Sequence, residues 1–135
     1  MNTVTKNRVD VALRLAVAGM AVANGYIHSQ LGGVMFTLNA VGFVVLAAAV
    51  LAPVWPAPQV RWLTRLAIAG YAAATATGWF LFGARYDMGY LSFTLDITIF
   101  AVVAVDSLVA DGSPITIAKK LAHLGSRFVP GLAGA

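Results

Sequence analysis

One acidic residue, Asp96, stands in the middle of a long apolar segment, and its local sequence occurs twice in the chain. The motif Phe-Thr-Leu-Asn at 36–39 returns as Phe-Thr-Leu-Asp at 93–96. A carboxyl group in such a segment can bind a proton or a cation, whereas the amide of Asn39 offers only neutral hydrogen bonds. We therefore expect any chemistry of this protein to start at Asp96.

Counting from the helix ends places several polar side chains at a similar depth, where they could form a polar layer: Asp96, Asn39, Asn24, Thr75 and Thr77. An ionised carboxylate at such a depth costs at least about 2.5 kcal/mol, so we expect Asp96 to be neutral or well partnered. Two interpretations follow. Asp96 is the proton or cation site of a carrier, with Asn39 as its uncharged counterpart, or the two residues form a structural clasp by hydrogen-bonding to each other or to nearby hydroxyls and so hold the hairpins in register.

A second match shows that the elements around these residues are also repeated. Residues 14–23 return as residues 65–74 with seven of ten positions identical. The two matches keep the same order along the chain, which predicts two related helical hairpins in tandem, over about 9–51 and 60–109. Because both hairpins begin on the same side, we expect a parallel internal repeat.

The composition is that of a membrane protein. Hydrophobic residues make up 60% of the chain, charged residues make up 10%, and the mean hydropathy is +0.83. Since about 20 apolar residues span a bilayer, four segments qualify as transmembrane helices: Val9–Ile27, Val34–Leu51, Val60–Phe82 and Gly89–Val109. The sequence thus predicts an all-α membrane protein with a four-helix transmembrane domain over 1–112. We expect the first segment to remain in the protein as a helix rather than to be removed as a signal peptide.

The basic residues predict the orientation. Eight of the nine Lys and Arg residues lie at helix ends, or in the tail, on the side of the predicted bundle where the N-terminus lies. Only Arg85 lies on the opposite side. Lys and Arg in short flanks stay on the cytoplasmic side, which predicts two cytoplasmic termini in a bacterial plasma membrane. No basic surface of the kind that binds nucleic acid is apparent.

Small residues recur along the first and third helices, at Gly19, Ala23, Gly70, Ala74 and Gly78. Such positions allow helix backbones to approach closely in lipid. We expect the two repeated helices to meet each other, or a partner, through them.

Asp106 lies near the cytoplasmic end of the fourth helix, at a depth close to Arg14 and Arg65. An ion pair between Asp106 and one of these arginines would neutralise both charges. We therefore expect a structural ion pair here.

Residues 113–135 differ in character from the rest of the chain. Lys119, Lys120 and Arg127 fall on one face of a predicted short helix, and apolar residues fall on the other. This pattern favours an amphipathic tail on the cytoplasmic leaflet, although a docking arm for a partner would use the same face.

The sequence offers little for catalysis or for a cofactor. It contains no Cys, its five acidic residues are all Asp, and its two histidines are expected at opposite ends of the bundle. No nucleophile and base are spaced for catalysis, so we predict neither an enzyme nor a metal or cofactor site.

Three short stretches carry a family resemblance: Gly-Tyr-Ile-His at 25–28, Phe-Thr-Leu-Asn-Ala-Val at 36–41, and Gly-Trp-Phe-Leu-Phe-Gly at 78–83 leading into Gly89. With them the chain resembles the small four-helix membrane proteins of high-GC Gram-positive bacteria. The resemblance implies four spans but no particular activity.

The leading expectation is a non-catalytic accessory or scaffold subunit, and the alternative is a small carrier. A compact bundle with small-residue faces and an anchoring tail fits an accessory or scaffold subunit of a larger membrane complex, or a homo-oligomer. An intramembrane Asp96 fits a small proton- or cation-coupled carrier.

Overall fold

The computed structural model describes residues 2–52 and 61–112, together with residues 115, 116, 119, 120, 122 and 123. This part of the chain is helical and contains no strand. Its four long helices are α1 (Thr3–Gln30), α2 (Val34–Leu51), α3 (Arg61–Phe82) and α4 (Asp87–Asp111). The expectation of an all-α protein is therefore confirmed.

Local sequence determines where the helices begin and end. The Asn2 side chain caps α1 by accepting a hydrogen bond from the Thr5 backbone N–H at 2.8 Å, which satisfies one of the free N–H groups of the first turn. Gly32 and Gly33, with φ of +70° and +88°, make the tight turn into α2. Gly112 ends α4 with φ of +78°. Residues with a Cβ rarely adopt these φ values, so glycine is suited to all three positions.

The four helices form a bundle in which neighbours in sequence are neighbours in space. Helix α1 packs against α2 and α4, and α3 packs against α4 and, less closely, against α2. Apolar side chains of all four helices form one core, with Val17, Phe43, Ile68 and Ile99 among its most buried members. The first and third helices lie diagonally opposite each other.

Three of the helices in the described ranges are long and apolar enough to cross a membrane, namely α1, α2 and α4. Helix α3 has 22 residues, but its two arginines and its run of Ala, Gly and Thr lower its hydropathy. At 1.5 Å per residue α3 is about 33 Å long, which is close to the thickness of the hydrocarbon layer.

Candidate functional site

Asp96 belongs to a buried hydrogen-bonded cluster that joins α1 to α4 and is centred on Asn24. The Asn24 side-chain amide donates to Asp96 Oδ1 at 2.7 Å, and Ser92 Oγ donates to Asn24 Oδ1 at 2.6 Å. Asn24 is completely buried and Asp96 is 2% exposed. One amide therefore connects two polar groups of α4 across the boundary between the hairpins.

His28 extends this cluster toward the end of α1. Its Nδ1 lies 2.9 Å from the backbone carbonyl oxygen of Asn24, and because a carbonyl can only accept, Nδ1 carries the hydrogen. The ring packs against Phe36 and Phe43 at centroid distances of 6.1 and 5.6 Å. His28 is 6% exposed, so it belongs to the interior of the bundle rather than to its surface.

Next to this cluster the bundle contains a cavity of about 610 Å³. It lies near the end of the bundle that carries the α1–α2 turn (31–33) and the α3–α4 turn (83–86). At that end α2 and α3 form two of its sides, and α4 forms the third. Its polar lining consists mainly of His28, Asn39, Tyr71, Thr75, Ser92 and Asp96. Among the described lining residues Asp96 is the only Asp, Glu, Lys or Arg.

Asn39 has a different partner from Asp96. The Tyr71 hydroxyl donates to Asn39 Oδ1 at 3.0 Å, and the Tyr71 ring packs edge-on against Phe43 at 5.0 Å. Gly42 makes room for this tyrosine, because a Cβ at that position would lie 2.2 Å from the Tyr71 hydroxyl oxygen. Asn39 and Asp96 thus line one cavity, each bound to another side chain.

The two threonines of the expected polar layer have different surroundings. Thr75 lines the cavity, and its hydroxyl donates to backbone carbonyls of its own helix, those of Tyr71 at 3.1 Å and Ala72 at 3.0 Å. Thr77 is exposed and donates to the Ala73 carbonyl of its own helix at 2.7 Å. The structure therefore brings Thr75 together with Asn24, Asn39 and Asp96, and leaves Thr77 outside.

Asn39 and Asp96 match in sequence but differ in burial, since Asp96 is buried and Asn39 is only half-buried. The sequence motif has an offset of 57 residues, whereas buried positions in α2 and α4 correspond with an offset of 56. The four buried pairs at that offset are Ala40 with Asp96, Phe43 with Ile99, Ala47 with Val103, and Val50 with Asp106. One residue corresponds to a rotation of 100° on a helix, so Asp96 faces the interior where Asn39 is only half-buried.

Aromatic side chains surround the end of the cavity near the α3–α4 turn. Trp79 lies 5.0 Å from the Tyr90 ring and 4.9 Å from the Phe93 ring. The Arg85 guanidinium lies 4.5 Å above the Trp79 ring and also donates to the Phe80 carbonyl at 2.8 Å. This arginine lies beside the aromatic cluster and does not line the cavity.

An ionic cluster closes the opposite end of the bundle. Arg65 binds the Asp106 carboxylate through Nε and the Asp10 carboxylate through Nη2, the latter at 3.0 Å. The Arg14 guanidinium donates to the Val50 carbonyl at the end of α2. Of the two arginines expected near Asp106, Arg65 thus pairs with it directly, while Asp10 links the first hairpin to the second.

The five small residues expected at helix contacts are all exposed. Nothing lies within 4 Å of a Cβ built at Gly19, Gly70 or Gly78. In the described residues these positions do not bring α1 and α3 together, since each packs mainly against other helices. Ala74 and Gly78 instead line the cavity.

Little of the tail is described. Residues 115, 116, 119, 120, 122 and 123 are helical, with Lys119 exposed and Lys120 half-buried. Arg127 and the rest of the expected amphipathic face lie outside the described residues.

Sequence reasoning missed three residues of this site. Ser92 and His28 each lie four residues from another polar residue of the cluster on the same helix, Asp96 and Asn24 respectively, which is the spacing of neighbours on one helix face. Tyr71 lacked such a signal, because its partner is on another helix.

Comparison with known proteins yields no relative. No protein-family model matches the chain, and no curated protein or solved structure is significantly similar to it.

Proposed function

We propose that the protein is a small carrier of the bacterial plasma membrane that binds a proton or a cation at Asp96. The observation that carries this proposal is a nearly fully buried carboxyl group in the lining of a large cavity. None of the described lining residues is Lys or Arg. The negative charge of Asp96 therefore needs compensation from outside the lining, either by a proton or by a bound cation.

The surroundings of Asp96 support such exchange. Polar side chains line the cavity from all four helices: His28 from α1, Asn39 from α2, Tyr71 and Thr75 from α3, and Ser92 from α4. His28 and Tyr71 are the only titratable groups among them. Hydroxyls and amides can stabilise either form of a carboxyl group, because they both donate and accept hydrogen bonds.

The proposal includes four membrane spans with both termini in the cytoplasm. Helix α3 counts as the fourth span because it is long enough and packs beside α4. The distribution of Lys and Arg supports this orientation. The cavity then opens toward the outside, and the ionic cluster of Asp10, Arg65 and Asp106 closes the cytoplasmic end.

Infrared spectroscopy of the purified protein in lipid nanodiscs tests the proposal. The chain has only five acidic side chains, so the carboxyl bands can be assigned with few variants. We expect a band that changes with the pH of the medium in the wild type, that is lost in Asp96→Asn, and that is kept in Asp87→Asn. A wild-type Asp96 band that never responds to pH or to added cations would contradict the proposal.

A second candidate is an accessory subunit of a larger membrane complex, favoured by the exposed small residues at Gly19, Ala23 and Gly70. Helices of a partner, or of a second copy, could approach the backbone closely there. The particle mass in mild detergent tests this candidate. A stoichiometric complex that is lost on Gly70→Leu would support it, and a monomer of unchanged mass would contradict it. The tail, with Lys119, Lys120 and Arg127, would then anchor the unit on anionic lipid.

A further inference from the structure

We infer that the solute of this cavity is a protonated amine with an apolar body, an inference that rests on the proposed carrier function. Asp96 supplies one negative charge at the wall of a space of about 610 Å³. Sites for small organic ligands typically measure about 300 to 1,000 Å³ and combine apolar walls with a few polar groups. The cavity has both properties.

The walls favour an organic cation over a metal ion. Aromatic side chains contribute much of the lining, including Phe36, Tyr71, Trp79, Phe82 and Tyr86. Aromatic faces attract ammonium groups and pack against hydrocarbon. A hard metal ion requires several oxygen ligands, and in the described part of the chain no three acidic or histidine side chains come together to hold one.

The hydrogen bonds near Asp96 favour a ligand that donates. Tyr71 donates to Asn39, and Ser92 donates to Asn24. An ionised carboxylate can accept about four hydrogen bonds, of which the Asn24 amide supplies one. The N–H groups of an ammonium ion would fill the remaining acceptor positions and also neutralise the charge.

Two small residues keep the space open. Ala74 and Gly78 line the cavity on α3, and a Cβ at Gly78 would touch nothing within 4 Å. Gly70 is also exposed, has equally open surroundings and lies two turns away on the same helix, but it does not line the cavity. Substituting leucine at each glycine therefore separates filling of the cavity from any general effect of a larger residue on α3.

Calorimetric titration of the protein in nanodiscs, corrected with empty nanodiscs, tests the inference with two probes of nearly equal shape. They are 4-phenylbutylammonium, which is charged, and 4-phenylbutanol, which is neutral. Because hydrogen bonds to charged groups are worth about 1.5 to 3 kcal/mol, we expect the wild type to prefer the ammonium by at least about tenfold. Asp96→Asn should abolish the preference. Gly78→Leu should weaken the binding of both probes, and Gly70→Leu should leave it unchanged.

Equal binding of the two probes by the wild type, or a preference that survives Asp96→Asn, would overturn the inference. So would ammonium binding that is unaffected by Gly78→Leu. The infrared response of Asp96, measured on the same samples, separates this failure from that of the carrier proposal. A pH-responsive Asp96 without ammonium preference refutes only the amine ligand, whereas loss of both refutes both proposals.

Discussion

Replacing Asn24 by leucine should destabilise the bundle more than any other single change at a polar residue of the cavity region. Asn24 is completely buried and makes two hydrogen bonds to α4, at 2.7 and 2.6 Å. Hydrogen bonds between helices in membranes average about 0.6 kcal/mol and reach about 1.7 kcal/mol. Loss of two such bonds therefore lowers the free energy of unfolding by roughly 1 to 3 kcal/mol. The upper part of this range is expected, because Asp96 and Ser92 lose a partner in a buried place.

Reversible unfolding in mixed micelles measures this effect, and Asn39→Leu is its matched control. Asn39 is half-buried and accepts a hydrogen bond from Tyr71 at 3.0 Å, so its replacement should cost about 0.6 kcal/mol. A double-mutant cycle of Asn24→Leu with Ser92→Ala should give a coupling energy of about 0.5 to 2 kcal/mol. If Asn39→Leu costs as much as Asn24→Leu, or if the coupling is zero, Asn24 does not hold the hairpins together.

Two further predictions concern stability. Arg65→Ala leaves the Asp106 carboxylate, which is 3% exposed, without its cation. We therefore expect the free energy of unfolding to fall by about 3 to 5 kcal/mol. Asp10→Asn, at the more exposed end of the cluster, should lower it by under about 1 kcal/mol. Thermal unfolding in detergent compares the two, and equal losses would contradict the assignment. Gly42→Ala should lower the free energy of unfolding by about 1 to 3 kcal/mol, because the added methyl group displaces the Tyr71 hydroxyl. Gly19→Ala meets open space and should be neutral or slightly stabilising. If Gly19→Ala proves the more destabilising of the two in the same assay, the contact between Gly42 and Tyr71 is refuted.

The helices were largely predictable from the sequence because their boundaries depend on local signals. The sequence predicts Val34–Leu51 with the bounds that α2 has, since glycines precede the segment and prolines follow it. It predicts the first helix from Val9, whereas α1 begins at Thr3. Hydropathy detects only the part of a helix that lies in hydrocarbon, and the polar turns before Val9 carry no such signal.

The site was predictable only in part, because register between helices depends on packing. Asp96 could be recognised from its own sequence, since a carboxyl group in an apolar helix is costly wherever it faces. That Asp96 and Asn39 differ in burial could not be predicted, because the packing of α4 shifts its buried face by one residue relative to the sequence match with α2. The hydrogen-bond partner of Asp96 is consequently Asn24, on a helix whose rotation the repeat does not determine.

The two interpretations of Asp96, clasp and binding site, become compatible once its surroundings are considered together. The residue accepts the Asn24 amide that joins α1 to α4, and it also lines the cavity. A cation bound in the cavity would share the carboxylate with that amide, which occupies only one acceptor position, on Oδ1. Binding would then change the charge at a contact between the hairpins, while the pair of Asp10 and Arg65 would still hold them at the other end. A carrier needs such a link between the occupancy of its site and the packing of its halves, and Asp96 is the described residue in which both meet.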